Sequence, residues 1–355
     1  MANLKEILVL GGTGAQGAPV VKSLSESGRY KARVLTRNPH SERAQALASL
    51  PNVTLIQGKQ DSLSDLYHAF HGVYGAWVNI DGFTLGEKDE LFYGLRAYEI
   101  ARHEKVQHYI WASIDYSLKK AGWDEKYHCC HNDAKGRIGD FILAQGQAGM
   151  KTSLFTTCPY MDMLFEGMFV PDKKPDGSLV WANPAADGKI PLIALDDVGP
   201  FVLWMFDHID RSAGMDLEVA TDQVSMQEIA DAAARVTGQN ARFVRMPMEE
   251  YLPKAEPYPG APANWGVGPN VATDDALMSW KENFKAWWQY WGEGFGATRD
   301  MALLDEISPN RIKGLEAWMR KVGYKGERRP VLKDAQDLKR SALGDIVFSV
   351  REGKA

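Results

Sequence analysis

The 355-residue sequence has few of the features that mark secreted, membrane or nucleic-acid-binding proteins. Its three cysteines are too few for a disulfide framework, which favours a reducing compartment. Its net charge of −5 predicts no basic surface for nucleic acid or anionic lipid. No apolar run is long enough to span a bilayer, and the stretch before the first predicted strand is too short for a targeting peptide. We therefore expect a cytoplasmic globular protein that binds no nucleic acid directly and no membrane.

The sequence also lacks a metal motif with suitable spacing. The stretch YHCCHND at residues 127–133 contains two histidines and two cysteines. Adjacent Cys129 and Cys130 cannot both face one ion on a helix, and no C-x-x-C pair occurs elsewhere. We therefore expect these side chains to pack a helix, and we expect neither a metal site nor a thiol switch.

Short apolar runs alternate with amphipathic segments over the first 160 residues. This alternation predicts an α/β fold with a Rossmann-type doubly wound parallel sheet, because parallel strands need helical crossovers. The predicted strands are residues 7–10, 31–36, 53–57, 75–79, 108–113 and 152–157, and the predicted helices are residues 18–27, 43–49, 62–70, 87–103 and 131–145.

The regular alternation ends after residue 160. Residues 171–191 predict loops with a short strand at 179–181, and helices are predicted at 198–206 and 225–237, the latter with a capping box of Ser225 and Glu228. A further helix is expected to begin at Ser308 and Pro309 and to end at Gly323. We expect a dinucleotide-binding domain (1–160), a smaller mixed substrate or lid region (161–325) and a charged extension (326–355) in which only residues 346–350 pack.

Three spaced glycines follow the first predicted strand in the segment GGTGAQG. Gly11 would allow the chain to turn, Gly14 would allow the backbone to approach a pyrophosphate, and Gly17 would allow the next helix to pack closely. The helix N-terminus would present N–H groups to the phosphates. The position between a strand and a helix predicts a dinucleotide site.

The end of the second predicted strand indicates which dinucleotide binds. NAD sites usually carry an acid there, but this sequence has Arg37 in VLTRNP and no acid before Glu42. Arginine can pair with a 2′-phosphate through two hydrogen bonds, so we expect NADP(H).

These motifs resemble the NmrA-like family of atypical short-chain dehydrogenases/reductases over residues 5–325. The resemblance rests on GGTGAQG, ARVLTRNP, the turn with Gln57, Gly58 and Asp61, the strand ending in Ser113, and IPLIALDDVGP. Lys59 stands where the family usually has an acid. The resemblance implies a cofactor site of Gly11, Thr13, Gly14, Ala15, Gln16, Gly17, Arg37, Asn38, Gln60, Asp61, Asn79, Lys135, Pro159 and Tyr160.

The Tyr-x-x-x-Lys pair of typical short-chain dehydrogenases is absent. The sequence has His131 and Lys135 at the same helical spacing, downstream of Ser113. His131 would serve as general acid or as a spacer, Lys135 would hold the nicotinamide ribose, and Ser113 would hold the substrate oxygen or nitrogen. Tyr116 and Tyr127 are alternative acids.

Tryptophan is concentrated on the substrate side. Trp280, Phe284, Trp287, Trp288 and Trp291 recur at helical steps, which favours core packing, although such a stripe also suits a flat apolar ligand. Loops at 81–86 and 160–170 are the candidate lids. The substrate-binding candidates are Phe83, Tyr127, Met161, Phe165 and Trp287.

Two functional hypotheses follow. The first, which we favour, is an NADP(H)-dependent oxidoreductase of specialised metabolism that acts on a bulky apolar or aromatic ketone or imine. The second is a non-catalytic NADP(H)-binding redox sensor or regulatory protein, favoured by the missing tyrosine, in which Arg328, Arg329, Lys339 and Arg340 would contact a partner. The expected partners are the small substrate and, in a homodimer, a second copy of the chain. An open apolar pocket beside the nicotinamide would favour the enzyme.

Overall fold

The structure is a computed structural model that describes residues 4–270, 277–296 and 298–332. Its centre is a seven-stranded sheet in the order β3-β2-β1-β4-β5-β6-β10, and every neighbouring pair is parallel. The expected Rossmann-type sheet is therefore confirmed. Its strands are β1 (Lys5–Leu10), β2 (Tyr30–Thr36), β3 (Val53–Gln57), β4 (Gly75–Val78), β5 (His108–Ile114), β6 (Lys151–Thr157) and β10 (Asp216–Glu218).

Helices cover both faces of this sheet. Ile7 and Val9 of β1 face the larger core, whereas Leu8 and Leu10 face the smaller one. This explains why residues 7–10 of β1 form a continuous apolar run and not an alternating one. The helices of the N-terminal half are α1 (Gly17–Glu26), α2 (Glu42–Ala48), α3 (Leu63–Phe70), α4 (Gly82–His103), α5 (Ser117–Lys120) and α6 (Cys130–Ala144).

Helix α4 begins five residues before the start that the sequence predicts. Asp81, which was expected in a loop, caps the helix by accepting a hydrogen bond from Phe83 N at 3.1 Å. Gly86 then interrupts the helix with φ near +78°, a conformation that side chains disfavour. The expected lid at 81–86 is therefore a helical turn and not a loop.

The C-terminal part adds a strand pair, β9 with β11, and a mixed three-stranded sheet, β12-β8-β7. The expected capping box at Ser225 and Glu228 is present. The start expected at Ser308 and Pro309 is wrong, because these residues follow one helix and the next begins at Leu315 after Gly314. The elements are β7 (Asp172–Lys173), β8 (Leu179–Asn183), β9 (Ile190–Leu192), β11 (Asp222–Val224), β12 (Ala241–Arg245), α7 (Leu195–Asp207), α8 (Ile209–Ser212), α9 (Met226–Thr237), α10 (Met248–Ala255), α11 (Trp280–Gly292), α12 (Met301–Ile307) and α13 (Leu315–Val322).

The strand order reverses between β1 and β4, and the carboxyl ends of these strands open a crevice that is the usual ligand site of such sheets. Within the described residues no helix has the length and apolar character needed to cross a membrane. Lys339, Arg340 and residues 346–350, for which contacts are predicted from the sequence, lie outside the described residues.

Candidate functional site

A large cavity opens at the carboxyl edge of the sheet, at the strand reversal. It brings together fourteen of the residues predicted for the site: Gly11, Thr13, Gly14, Ala15, Gln16, Arg37, Gln60, Asn79, Phe83, His131, Lys135, Pro159, Tyr160 and Trp287. Gly11 and Trp287, which are 276 positions apart in the sequence, therefore line the same cavity.

The glycine loop forms the floor of this cavity. Gly11 has φ near +82°, and a Cβ atom there would lie 2.7 Å from the carbonyl oxygen of Asn79. Gly17 does not line the cavity, because it packs against the loop, where a Cβ would lie 2.2 Å from Gly11 O. In the described part of the chain no side chain caps α1, and its first turn carries no acidic residue. The N-terminus of α1 is thus suited to a phosphate group.

Arg37 lies exposed at the end of β2 and lines the same cavity. Gln60 lines it too, and its Oε1 accepts a hydrogen bond from Asp81 N at 3.2 Å. Asn38 is not a lining residue, because its side chain accepts a hydrogen bond from His40 N at 3.0 Å and shapes the turn before α2. Asp61 is exposed and does not line the cavity either.

His131 lies on the cavity wall, with its ring 4.8 Å from the ring of Phe83. The backbone N–H of Cys130 donates to Asn283 Oδ1 at 2.9 Å, so Asn283 Nδ2 must be the donor to His131 Nδ1 at 3.0 Å. Asn283 Oδ1 also lies 3.3 Å from His131 Nδ1, but the shorter contact is that of Nδ2, which favours Nδ1 as acceptor and the neutral tautomer that carries its proton on Nε2. Desolvation by the surrounding protein lowers the pKa of His131 to about 4.

The Lys135 ammonium has three protein partners. Its Nζ donates to Asn79 Oδ1 at 3.1 Å and to Ile80 O at 2.8 Å, and it pairs with Glu90 Oε1 at 3.0 Å. Glu90 is fully buried, and burial raises the pKa of its carboxyl group from 4.5 to about 7 although Lys135 opposes the shift. The sequence alone does not indicate a role for Glu90, because an acid in a long helix is usually exposed.

Three side chains that the sequence predicts to take part in catalysis lie outside the cavity, namely Ser113, Tyr116 and Tyr127. Ser113 faces α6, where a Cβ on Gly139 would lie 3.4 Å from its Oγ, and its neighbour Ile114 lines the cavity instead. The hydroxyl of Tyr116 accepts a hydrogen bond from Arg137 Nε at 3.3 Å.

Tyr127 lies outside the cavity as well, because its hydroxyl donates to Glu293 Oε2 at 2.6 Å. The tyrosine that does line the cavity is Tyr160, whose hydroxyl accepts a hydrogen bond from Gln16 Nε2 at 2.7 Å. Burial raises the pKa of Tyr160 to about 12. The sequence signal that places Tyr160 at the cavity is its position shortly after β6, at the carboxyl edge of the sheet.

Aromatic side chains form part of the cavity wall. Phe83 stacks on Phe284 with their ring centroids 6.4 Å apart, and Trp265 and Trp287 complete the wall. Of the expected substrate contacts, Met161 and Phe165 point into the core instead. The 160–170 segment turns in a short 3-10 helix at Met161–Leu164, which directs other side chains at the cavity, namely Met163, Glu166 and Met168.

Most of the tryptophan stripe is core, as the helical spacing favours. Trp280, Trp288 and Trp291 are at most 1% exposed and do not line the cavity. Cys129 and Cys130 are buried too, and burial raises the pKa of both thiols.

Comparison with known proteins shows the family and the fold of the chain. The model of the NmrA-like family matches residues 3–264. The chain belongs to the NmrA-like family. One NmrA-like relative is the NmrA-like family domain-containing oxidoreductase himF of Aspergillus japonicus, which is 28% identical over 265 residues, or 68% of this chain and 77% of the relative.

Solved structures of NmrA-like fold resemble the chain over most of its length. NmrA, a negative transcriptional regulator, in complex with NADP aligns with a TM-score of 0.71 and 20% identity over 90% of this chain and 95% of that one. The same regulator is also known in complex with NAD. The NADPH-dependent quinone oxidoreductase QOR2 of Escherichia coli, complexed with NADPH, aligns with a TM-score of 0.68 and 17% identity over 89% and 99%. At these identities the likeness establishes the fold.

Proposed function

We propose that the chain is an NADP(H)-dependent oxidoreductase that acts on a bulky apolar or aromatic ketone or imine. One observation carries the proposal: a single cavity joins the glycine loop and Arg37 to His131, Lys135 and an aromatic wall. A reductase needs apolar space and a hydrogen-bond donor beside its cofactor, whereas a sensor needs neither. Both are present in this cavity.

The residues at the glycine-loop end fit a dinucleotide phosphate. The close contact of Gly11 with Asn79 leaves no room for a side chain, and the first turn of α1 contains no acid that would repel a pyrophosphate. The Arg37 guanidinium at the rim favours a 2′-phosphate and therefore NADP(H) over NAD(H). Bound NADPH would supply the hydride.

His131 would act as a neutral hydrogen-bond donor. With a pKa of about 4 it is uncharged near neutral pH, and its Nε2–H is available because Nδ1 accepts from Asn283. Such a donor stabilises negative charge that develops on a substrate oxygen. A ketone that accepts the hydride would become an alkoxide, which this donor would stabilise and which would take its proton from solvent, because a neutral imidazole does not release its N–H proton near neutral pH. An imine that binds in its protonated form would need no further proton, and Nε2–H would donate to the nitrogen lone pair that hydride transfer creates.

The aromatic wall sets the substrate class. Phe83, Trp265, Phe284 and Trp287 give the cavity an apolar aromatic surface. Rings of this kind bind flat apolar molecules through contact area and stacking. We also propose a cytoplasmic location, supported by three cysteines that are all free and buried.

The regulatory alternative has one observation in its favour. Lys135 directs hydrogen bonds or an ion pair at Asn79, Ile80 and Glu90, so its ammonium is already engaged by protein groups. A binding protein without chemistry could use such a lysine purely to shape the site.

The decisive experiment has two steps. The purified chain is titrated with NADPH, NADP⁺, NADH and NAD⁺, and the NADPH complex is then incubated with aromatic ketones and imines while absorbance at 340 nm is followed. Tight NADPH binding with oxidation on one of these substrates is the expected result. Tight binding without turnover, together with an oligomeric state that depends on the redox state of the cofactor, would contradict the proposed enzyme and favour the redox sensor.

A further inference from the structure

The first residues of the charged extension run back towards the cavity and reach it at Leu332. We call residues 326–332 the C-terminal strap; they lie beyond residues 3–264, which the family model matches. The strap starts from a fixed point, because Gly326 is buried with φ near +73° and a Cβ there would lie 2.5 Å from Leu179. Just before it, the buried Tyr324 hydroxyl donates to Leu164 O at 3.4 Å. At its other end Leu332 lines the cavity.

Glu166 holds the far end of the strap. Its Oε2 accepts hydrogen bonds from the backbone N–H groups of Val331, at 2.6 Å, and of Leu332, at 2.8 Å. Glu166 is half-buried and itself lines the cavity. Two backbone bonds to one carboxylate are charge-assisted and therefore stronger than neutral hydrogen bonds.

Arg329 adds a contact in the middle of the strap. Its guanidinium lies 3.6 Å from the ring centroid of Phe165, and its backbone N–H donates to Phe165 O at 3.3 Å. Arg329, which the sequence offered as a contact for a partner, therefore binds its own chain. The strap thus follows the 161–168 segment that forms one wall of the cavity.

The strap also contacts helix α2. Arg43 of α2 donates from Nη2 to Val331 O at 3.0 Å. Helix α2 follows directly on the loop that carries Arg37, at the end of the cavity assigned to the 2′-phosphate. Val331 is therefore held by two segments, by Glu166 through its N–H and by Arg43 through its carbonyl oxygen.

We propose that the C-terminal strap closes the dinucleotide cavity and that Glu166 is the positioning residue that latches it. The proposal rests on the proposed binding of NADP(H). A cofactor that leaves between α2 and the 161–168 segment must first separate Val331 from Glu166 or from Arg43. The latch would therefore set the rate of cofactor release, and Leu332 would form part of the wall that the cofactor or substrate contacts.

The test measures NADPH release from the full-length chain by stopped-flow fluorescence. Glu166→Ala should raise the dissociation rate about tenfold, because it removes two charge-assisted hydrogen bonds. Glu166→Gln should restore part of the slow release, because its amide oxygen can still accept both N–H groups. Glu327→Ala is the matched control: this exposed strap carboxylate accepts from Lys325 N and does not line the cavity.

A double-variant comparison separates the latch from a direct contact between Glu166 and the cofactor. A chain that ends at Gly326 should release NADPH as fast as Glu166→Ala, and adding Glu166→Ala to it should change nothing further. The proposal that the strap closes the cavity would be wrong if Glu166→Ala raised the NADPH dissociation rate equally with and without the strap. It would also be wrong if Glu166→Ala left the dissociation rate of the full-length chain unchanged. Absence of NADPH binding by the unaltered chain would overturn the proposed function and this proposal together. Thermal unfolding of each variant verifies that it is folded.

Discussion

The ammonium of Lys135 lies 3.0 Å from the carboxylate of the fully buried Glu90, and this pair joins the cavity wall to the middle of α4. Within the described residues no other donor reaches a Glu90 oxygen. Gly82 makes the pair possible, because a Cβ there would lie 2.1 Å from Glu90 Oε2. Because this buried carboxylate has a single cationic partner, both the free energy of unfolding and the charge at the cavity wall depend on pH.

The first prediction concerns stability and pH. Burial raises the pKa of Glu90 from 4.5 to about 7, so the folded chain binds more protons than the unfolded chain between these values. The resulting stabilisation is fully present below pH 4.5 and is lost as the pH rises through about 7. The free energy of unfolding of the wild type, relative to that of Glu90→Gln, should therefore fall between about pH 5 and about pH 8. Urea denaturation at several pH values measures it.

A control for this prediction is Glu99→Gln, which removes an exposed carboxylate from the same helix. Its free energy of unfolding should follow that of the wild type across the same range. Parallel profiles for wild type and Glu90→Gln would contradict the raised pKa.

The second prediction concerns the choice of cofactor. Arg37→Glu should weaken NADPH binding by about a hundredfold, because it removes a charge-assisted pair and adds repulsion to the 2′-phosphate. NADH has no such phosphate and should lose far less affinity. Fluorescence titration of both dinucleotides measures the ratio, with Lys31→Glu, at the opposite end of β2, as the control for charge. Equal losses for both dinucleotides would rule out the 2′-phosphate role.

The third prediction concerns His131. His131→Ala should lower kcat on an identified substrate by about a hundredfold while NADPH affinity stays near the wild-type value. The wild-type rate should show no ionisation near pH 6.5 from this residue, because its pKa is lowered to about 4. His128→Ala is the matched control, since His128 pairs with Glu87 and does not line the cavity. If His128→Ala slows turnover as strongly as His131→Ala, the assignment fails.

The fourth prediction compares neighbouring tryptophans. Trp287 lines the cavity, whereas Trp288 packs against Phe169 and Tyr251 in the core. Trp287→Phe should change KM for aromatic substrates several-fold, whereas Trp288→Phe should leave KM unchanged. Both side chains are at most 3% exposed, so each substitution should lower the free energy of unfolding by about 1–2 kcal/mol. Steady-state kinetics distinguish the two variants, and urea denaturation verifies that both remain folded. The reverse pattern would place the substrate elsewhere.

The sequence predicts the sheet well, because buried parallel strands are continuous apolar runs separated by amphipathic helices. It also predicts the glycine loop and Arg37, since both depend on local spacing. Side-chain direction is harder to predict. Ser113 and Ile114 are adjacent on β5, yet only Ile114 lines the cavity, because alternate strand residues face opposite sides of a sheet.

Contacts between distant segments are the other part that local patterns miss. Tyr127 is held by Glu293 and His131 by Asn283, two partners more than 150 positions away. The buried position of Glu90 follows from the packing of α4 against α6, and no pattern within α4 predicts it. Substrate-side predictions failed at Met161 and Phe165 for a related reason, since a 3-10 turn changes which residues of a segment share a face.

The seventh strand has a consequence for how the chain can be divided. β10 comes from the C-terminal part, yet it completes the N-terminal sheet by pairing with β6. A fragment that stopped at residue 160 would leave β6 as an open edge of largely buried residues, with unpaired N–H and C=O groups free to recruit strands from other molecules. We expect such a fragment to aggregate because of this exposure, so the N-terminal half cannot be transplanted as an independent module.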